Sequence, residues 1–237
     1  MQEQKTIVEE IFERCPYQNR EEWLKLRGRG IGGSDAAAIL GYSQWMTSND
    51  LWRKKVYGSD YEDAQNEDNE FIKYGNAVED ALRTLFQAKF VDFLEVYKTD
   101  EVLVRKDKPY LRASLDGEIR VLQDFIFKSA DDEEYMLKKG MRGIWENKTA
   151  YRPPKDKWDK KIPMNYFCQI LHYLNVTGYD FVIVSVEISY QGGASSIKHF
   201  VFKRQDKILD LEYLERKEDE FWEKVEKKIE VPTLIKF

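Results

Sequence analysis

The sequence predicts a single α/β core carrying helical additions, on three observations. Its 237 residues are long for one average domain yet within reach of one such core. Apolar residues make up 42% and aromatics 14%, enough to fill an interior and too many for a disordered chain. Segments alternating with the two-residue period of strands are interspersed with segments of helical period.

Composition narrows the setting. No apolar run approaches the roughly 20 residues that span a bilayer, and Met1-Gln2-Glu3-Gln4-Lys5 lacks the charged-then-apolar shape of a signal peptide. The expected location is therefore the cytoplasm, with no membrane contact. Two cysteines, Cys15 and Cys168, are too few for a disulfide framework or a four-Cys metal site. The net charge of −5 argues at first against a polyanionic partner. The charge is uneven, however: residues 59–70 hold six acids and no base, whereas residues 137–161 hold nine bases against three acids. A basic run is usually a solvated face. This one brackets the chemistry described below and so favours a phosphate-lined groove.

Taken in order, residues 5–14 place Ile7, Val8, Ile11 and Phe12 at helical spacing, which predicts a short amphipathic helix. Gly28, Gly30, Gly32 and Gly33 follow, letting the chain pass close to a ligand. Ser34 or Asp35 then caps an Ala-rich helix whose first N–H groups can receive an anion. Spacing alone fits an ordinary capped loop equally well; Arg27 and Arg29 tilt the reading toward phosphate. The Gly-Lys-Ser/Thr ending of a Walker motif is missing. A helix over Asn49–Tyr57 leads to an exposed acidic loop near 59–70. Another helix opens at Tyr74-Gly75-Asn76-Ala77-Val78-Glu79 and buries Val78, Leu82, Leu85 and Phe86. Glu79 borders that stripe, a common place for a solvated carboxylate.

Residues 93–105 and 110–121 read as two strands, the second carrying Asp116. Between them and the next strand lies a polar insertion near 123–140, expected to be low in order. Arg152 to Ile162 is a basic loop with Pro153, Pro154 and Trp158. From Pro163 an amphipathic helix runs to Gly178, which suits a C-cap, and Gln169 and Tyr173 share one of its faces. Phe181–Ile188 and Ile197–Phe202 read as a hairpin around Gly192-Gly193. A closing helix over 205–230 turns Ile208, Leu211, Leu214, Phe221, Val225 and Ile229 inward and stops near Pro232. His172 and His199 have no partner at ligand spacing, and neither is read as a metal ligand; Cys168 is read as packing.

The chemistry centres on Gly143-Ile144-Trp145-Glu146-Asn147-Lys148. Along a strand Glu146 and Lys148 share a face and Asn147 points away. Alone, that pattern equally describes an exposed ion pair. A second acid at the same place sharpens it, and Asp116, followed by Gly117, is the candidate. Two such acids suffice for Mg²⁺, which prefers oxygen ligands and keeps several waters.

Asp…Glu-x-Lys resembles the core of the PD-(D/E)XK nucleases. Trp23, Arg27 and Gly30-Ile31-Gly32-Gly33-Ser34-Asp35-Ala36-Ala37, followed by Ile39-Leu40-Gly41, closely resemble the opening of the YqaJ-like viral recombinase family, relatives of phage lambda exonuclease. Tyr74-Gly75-Asn76 with Glu79, and Gln169 with Tyr173, resemble two further motifs in the family's order, so the likeness spans roughly residues 20–180. It implies one PD-(D/E)XK exonuclease domain over 1–237, with a mixed β-sheet flanked by helices. It further implies a Mg²⁺-dependent exonuclease (Mn²⁺ as substitute) that degrades linear double-stranded DNA 5′→3′ from phosphorylated ends in phage-type recombination. Asp116 and Glu146 would bind the metal directly with the Asn147 backbone carbonyl, Glu79 directly or through water, and Lys148 would act on the attacking water. Gln169 and Tyr173 would reach the site, and Arg27 and Ser34 would bind a 5′-phosphate, with Arg29 and Arg152 as further DNA contacts on charge grounds. A ring-shaped trimer, a single-strand annealing partner and a phage or prophage setting in a bacterial cell are implied too. The 29 residues between Asp116 and Glu146 exceed the single hairpin turn usual in the family. Two other functions share these features: a sequence-specific restriction-type endonuclease and a non-catalytic DNA-end-binding module.

Overall fold

The computed structural model describes residues 10–58, 70–154 and 157–233. Its strands are β1 (Phe12–Pro16), β2 (Leu94–Tyr97), β3 (Glu101–Arg105), β4 (Arg112–Ala113), β5 (Gly117–Val121), β6 (Phe125–Lys128), β7 (Glu134–Leu137), β8 (Arg142–Tyr151), β9 (Phe181–Ser189) and β10 (Ser195–Lys203). The helices are α1 (Arg20–Gly28), α2 (Gly33–Ile39), α3 (Ser48–Tyr57), α4 (Glu70–Lys89), α5 (Met164–Thr177) and α6 (Ile208–Glu226).

A five-stranded mixed sheet, ordered β10-β9-β8-β5-β2, forms the centre. Only β8 and β9 run parallel. A parallel pair needs a crossover, and α5 supplies it. Alternation buries both faces. Ile144, Val182, Val184 and Val186 pack with residues of α2, α5 and α6, while Trp145, Phe181 and Ile183 pack with Leu82 and Phe86 of α4. Glu146 lies two positions past Ile144 and therefore faces α5. Gly143 is required by packing: a Cβ there would sit 2.4 Å from the Phe181 ring. A smaller sheet, β1-β3-β4, lies alongside and contributes Leu103 and Ala113, with Leu111 just before β4, to the α5 side of the core. Gly178 ends α5 in the left-handed region at φ 66°, as its C-cap position favours.

The mixed sheet flanked by helices is the predicted fold class. Several elements differ from expectation. Residues 1–9 lie outside the described residues, and the second half of the expected helix is strand β1. Phe12 is buried there, and Arg14 on the same face pairs with Glu101 and Glu118. The strand read over 93–105 is two, in different sheets, broken at Lys98-Thr99-Asp100. The one read over 110–121 likewise breaks at Ser114–Asp116, between β4 and β5. The 123–140 insertion is ordered: β6 and β7 pair as a hairpin anchored by fully buried Phe127 and Leu137 and by the Phe93–Phe125 stack. Ser34 and Asp35 do not cap α2 from outside. Gly32 is its N-cap, and Asp35 reaches back to accept from the Gly32 N–H at 3.0 Å. Leu85 faces outward on α4, which begins at Glu70. Ile208 and Ile229 are exposed, and α6 ends at Glu226. The acidic loop falls in 59–69, outside the described residues.

Candidate active site

The site forms where β8 outruns its neighbour. β5 begins at Gly117, opposite Trp145, so beyond that point β8 keeps a ladder only with β9. The residue before β5, Asp116, fills the gap: its Oδ2 accepts from the Asn147 N–H at 2.8 Å. A strand residue sends its N–H and C=O to the same edge, so the Asn147 carbonyl leaves toward Asp116 as well. Glu146, 1% exposed, receives Lys148 Nζ at 2.5 Å and Gln169 Nε2 at 3.0 Å, both on Oε1. Gln169 Nε2 also donates to the Tyr173 hydroxyl at 2.8 Å, so one amide fixes both partners. Lys148 further lies over the Tyr166 ring at 4.9 Å.

Helix α2 approaches this group because Gly33 has no side chain; a Cβ would meet the Tyr173 ring at 2.5 Å and Gln169 Cγ at 2.9 Å. From the other side α4 brings Glu79, paired with Arg83 at 3.5 Å. Together these residues line a cavity of about 280 Å³, with Glu79, Asp116, Glu146, Lys148, Gln169 and Tyr173 on its wall.

Electrostatics show the tension among the acids. Burial, then the neighbouring Asp116 carboxylate, push Glu146 up to about 8 despite the opposing pull of Lys148. Burial and Asp116 push Glu79 up to about 7. Burial also raises Asp116, against Lys148 and the Asn147 N–H. For Lys148 burial acts downward, but Glu146 and Asp116 outweigh it and hold the ammonium charged.

These donors fit a hard divalent cation. Carboxylate oxygens and a backbone carbonyl converge, and Glu146 Oε2 is a buried acceptor without a hydrogen-bond partner among the described residues. Among the described residues no three His, Cys, Asp or Glu side chains form a preassembled cage. Mg²⁺ does not need one, since it is bound by one or two carboxylates and keeps several waters.

Arg27 lines the same cavity. It lies over the Trp23 ring at 5.0 Å and donates to Ser34 Oγ at 2.5 Å, so the pair expected at a phosphate is together, with Ser34 itself exposed. Arg29 and Arg152 are not among the lining residues; Arg29 is exposed at the end of α1, and Arg152 lies over Tyr151 at 4.8 Å beyond the end of β8. His172 bonds Glu218 at 2.6 Å and His199 bonds Ser185 at 2.9 Å, both away from the cavity. Sequence reasoning gave no role to Tyr17, Lys98, Thr99, Arg112 or Ser114, which also line it. The first three belong to connections whose approach depends on the second sheet, and no local pattern marks them. Ser114, two residues before Asp116 and bonded to Trp23 Nε1 at 2.9 Å, was findable from its proximity to the acid.

A family model described as the YqaJ-like viral recombinase domain matches residues 22–180. The Bacillus subtilis (strain 168) protein YqaJ is 28% identical over 217 residues, which is 90% of this chain. The chain spans 58% of the length of that curated relative. Among solved structures, the alkaline exonuclease LHK-Exo from Laribacter hongkongensis aligns with a TM-score of 0.58 at 15% identity, covering 89% of this chain and 94% of its own. It has also been solved in complex with dAMP. A phage-related exonuclease from Haemophilus somnus aligns with a TM-score of 0.53 at 12% identity, over 84% of this chain and 96% of its own. At these identities the two structures establish the shared fold.

Proposed function

Because the chain belongs to the YqaJ-like viral recombinase domain family, we propose that it is a metal-dependent deoxyribonuclease, an exonuclease that degrades linear double-stranded DNA from 5′-phosphorylated ends. The observation that carries this reading is the single cavity in which Asp116, Glu146, Lys148 and Glu79 meet the Arg27 guanidinium. Acids that hold a cation and a base that holds an anion are what phosphodiester hydrolysis at a strand end demands.

Asp116, Glu146 and the Asn147 carbonyl would hold Mg²⁺, with Glu79 as a further ligand directly or through water. The bound cation supplies charge neutralisation at the scissile phosphate and lowers the pKa of a coordinated water. Gln169 sets the Glu146 rotamer while leaving Oε2 unspent. Lys148 Nζ, held protonated between Glu146 and Asp116, acts as a donor that orients the attacking water and stabilises charge growing on the phosphate oxygens. Arg27 and Ser34 receive the terminal phosphate, whose extra charge distinguishes it from an internal diester. The same reading takes double-stranded DNA ends as partner, a single-strand annealing protein as companion and a trimeric ring as assembly, in phage-type recombination.

The test is digestion of linear duplex labelled at either end, with Mg²⁺, with Mn²⁺ and with chelator, beside closed circular DNA. Metal-dependent release from 5′-phosphorylated ends, with circles spared, is the expected result. Cutting of circles at fixed sites would replace the reading with a restriction-type endonuclease. End binding without turnover would leave a non-catalytic module.

A further inference from the structure

Among the described residues two of the cavity's cations make no direct ion pair, although the Arg27 charge helps to lower Asp35. Lys148 pairs with Glu146, and Lys98 lies 3.5 Å from Asp80. Arg27 and Arg112 both line the cavity, and among the described residues neither lies within ion-pair distance of a carboxylate. Arg112 is the more unusual. It is half-buried on β4, and its backbone is fixed twice: its N–H donates to Ile31 O at 2.9 Å and its C=O lies 2.8 Å from His172 Nε2. One side-chain donor, Nη1, reaches Leu26 O at 3.0 Å, while Nε is buried with no partner among the described residues. A guanidinium carries five N–H donors, so most of this one's capacity is unspent. Burial pulls the group's pKa down, and no neighbouring carboxylate restores it.

The glycine-rich turn explains how two guanidinium groups come together. A Cβ at Gly30 would touch Arg112 Cδ at 3.0 Å, and one at Gly32 would touch Arg27 Nε at 3.4 Å. The bare backbone at these two glycines is the floor on which both arginine side chains lie. An uncompensated charge in a half-buried place is costly unless a ligand completes it.

We propose that Arg112 is the second guanidinium of a two-arginine clamp that holds the terminal phosphomonoester of a DNA end. The inference rests on the nuclease reading of the cavity and adds a residue to it. Arg27 approaches the phosphate from α1 and Arg112 from β4, on either side of the glycine turn. A dianionic end then meets two fork-shaped donors, whereas an internal diester or a hydroxyl end offers less charge for them.

Binding measured without divalent metal keeps this separate from catalysis. Short duplexes with 5′-phosphate or 5′-hydroxyl ends are titrated by fluorescence anisotropy against the wild type, Arg112→Gln and Arg112→Lys, each checked by thermal melting. Arg112→Gln should weaken phosphate-end binding about tenfold or more, the worth of a charge-assisted contact, and hydroxyl-end binding at most about twofold. Arg112→Lys should fall between; should the neutral variant fail to fold, the lysine variant carries the same comparison. Competition by 5′-dAMP, but not by deoxyadenosine, should weaken together with the end preference, which locates the contact on the phosphate itself. Equal weakening for both ends, or none, overturns the clamp, as does dAMP competition that the substitution leaves unaltered. A wild type that prefers phosphorylated ends yet digests nothing would sink the nuclease reading and leave the clamp standing. A wild type that digests linear DNA while Arg112→Gln keeps the full preference for phosphorylated ends would do the reverse.

Discussion

Raising the pH from 6 to 9 in chelator should destabilise the protein, and Mg²⁺ should cancel that loss. Glu146 moves from an ordinary 4.5 to about 8 because burial and Asp116 oppose its charge. A raised carboxylate gives stability that is fully present below the unfolded value and is lost as pH climbs through the folded one. Each pH unit inside that window costs about 1.4 kcal/mol, so two units between 6 and 8 cost roughly 3 kcal/mol, with little further change above 8. Glu79, raised to about 7, acts in the same direction, less strongly because part of its side chain meets solvent. Lys148 stays charged throughout, since its pKa lies above the window. For a chain of this size each kcal/mol is worth about 2–4 °C, so the melting temperature should fall by roughly 6–12 °C. A cation bound by the same oxygens takes over the role of the protons, so the melts with Mg²⁺ should fall only by the share of groups outside the cavity. His172 is also raised, against burial, by Glu218, but it lies outside the cavity, and the difference between the two series removes its share. A melting temperature that holds or rises toward pH 9 in chelator, or falls equally with Mg²⁺, refutes the electrostatic account.

Other outcomes follow from single contacts. Asp116→Ala or Glu146→Ala should abolish cleavage while circular dichroism stays native; near-wild-type turnover in either removes it from the metal set. Lys148→Ala should slow single-turnover cleavage strongly and spare Mg²⁺ binding, and lost binding by calorimetry with an unaltered rate would contradict its donor role. Arg27→Ala should erase a roughly tenfold preference for 5′-phosphate over 5′-hydroxyl ends; an equal slowing of both would show that it does not sense the end. Gly33→Ala should cost about 1–3 kcal/mol in urea melts and lower the cleavage rate, because the new methyl meets the Tyr173 ring and Gln169; wild-type rate and stability would show that α2 can shift freely.

The parts of the fold legible in the sequence are those whose signal is local. Gln169 and Tyr173 share a face through helical period alone, Gly178 stops α5 through its φ, and Glu146 with Lys148 share a face through strand period. The misread parts depend on partners distant in the chain. Ile11 and Phe12 fit a helix until Phe12–Pro16 pairs with Glu101–Arg105. Residues 93–105 alternate without a break that sequence reveals, yet the chain changes sheets at Thr99. The 123–140 insertion looks polar because a two-stranded hairpin needs few apolar residues, and Phe127 and Leu137 provide its anchors.

The interrupted strand at Ser114–Asp116 connects the fold to the chemistry. Had residues 110–121 formed one continuous strand, Asp116 would have paired along β8 through its backbone, closing the edge that the site uses. Because β5 starts one residue later, the carboxylate rather than a backbone carbonyl receives the Asn147 N–H. That substitution leaves the Asn147 carbonyl free beside two acids, one of them with an unspent buried oxygen. The site thus consists of a sheet that stops pairing midway along β8, with a helix on each face supplying the remaining groups: Gln169 and Tyr173 from α5, Glu79 from α4. A change that extended β5 backward over Asp116 would therefore disable the site without substituting any proposed ligand.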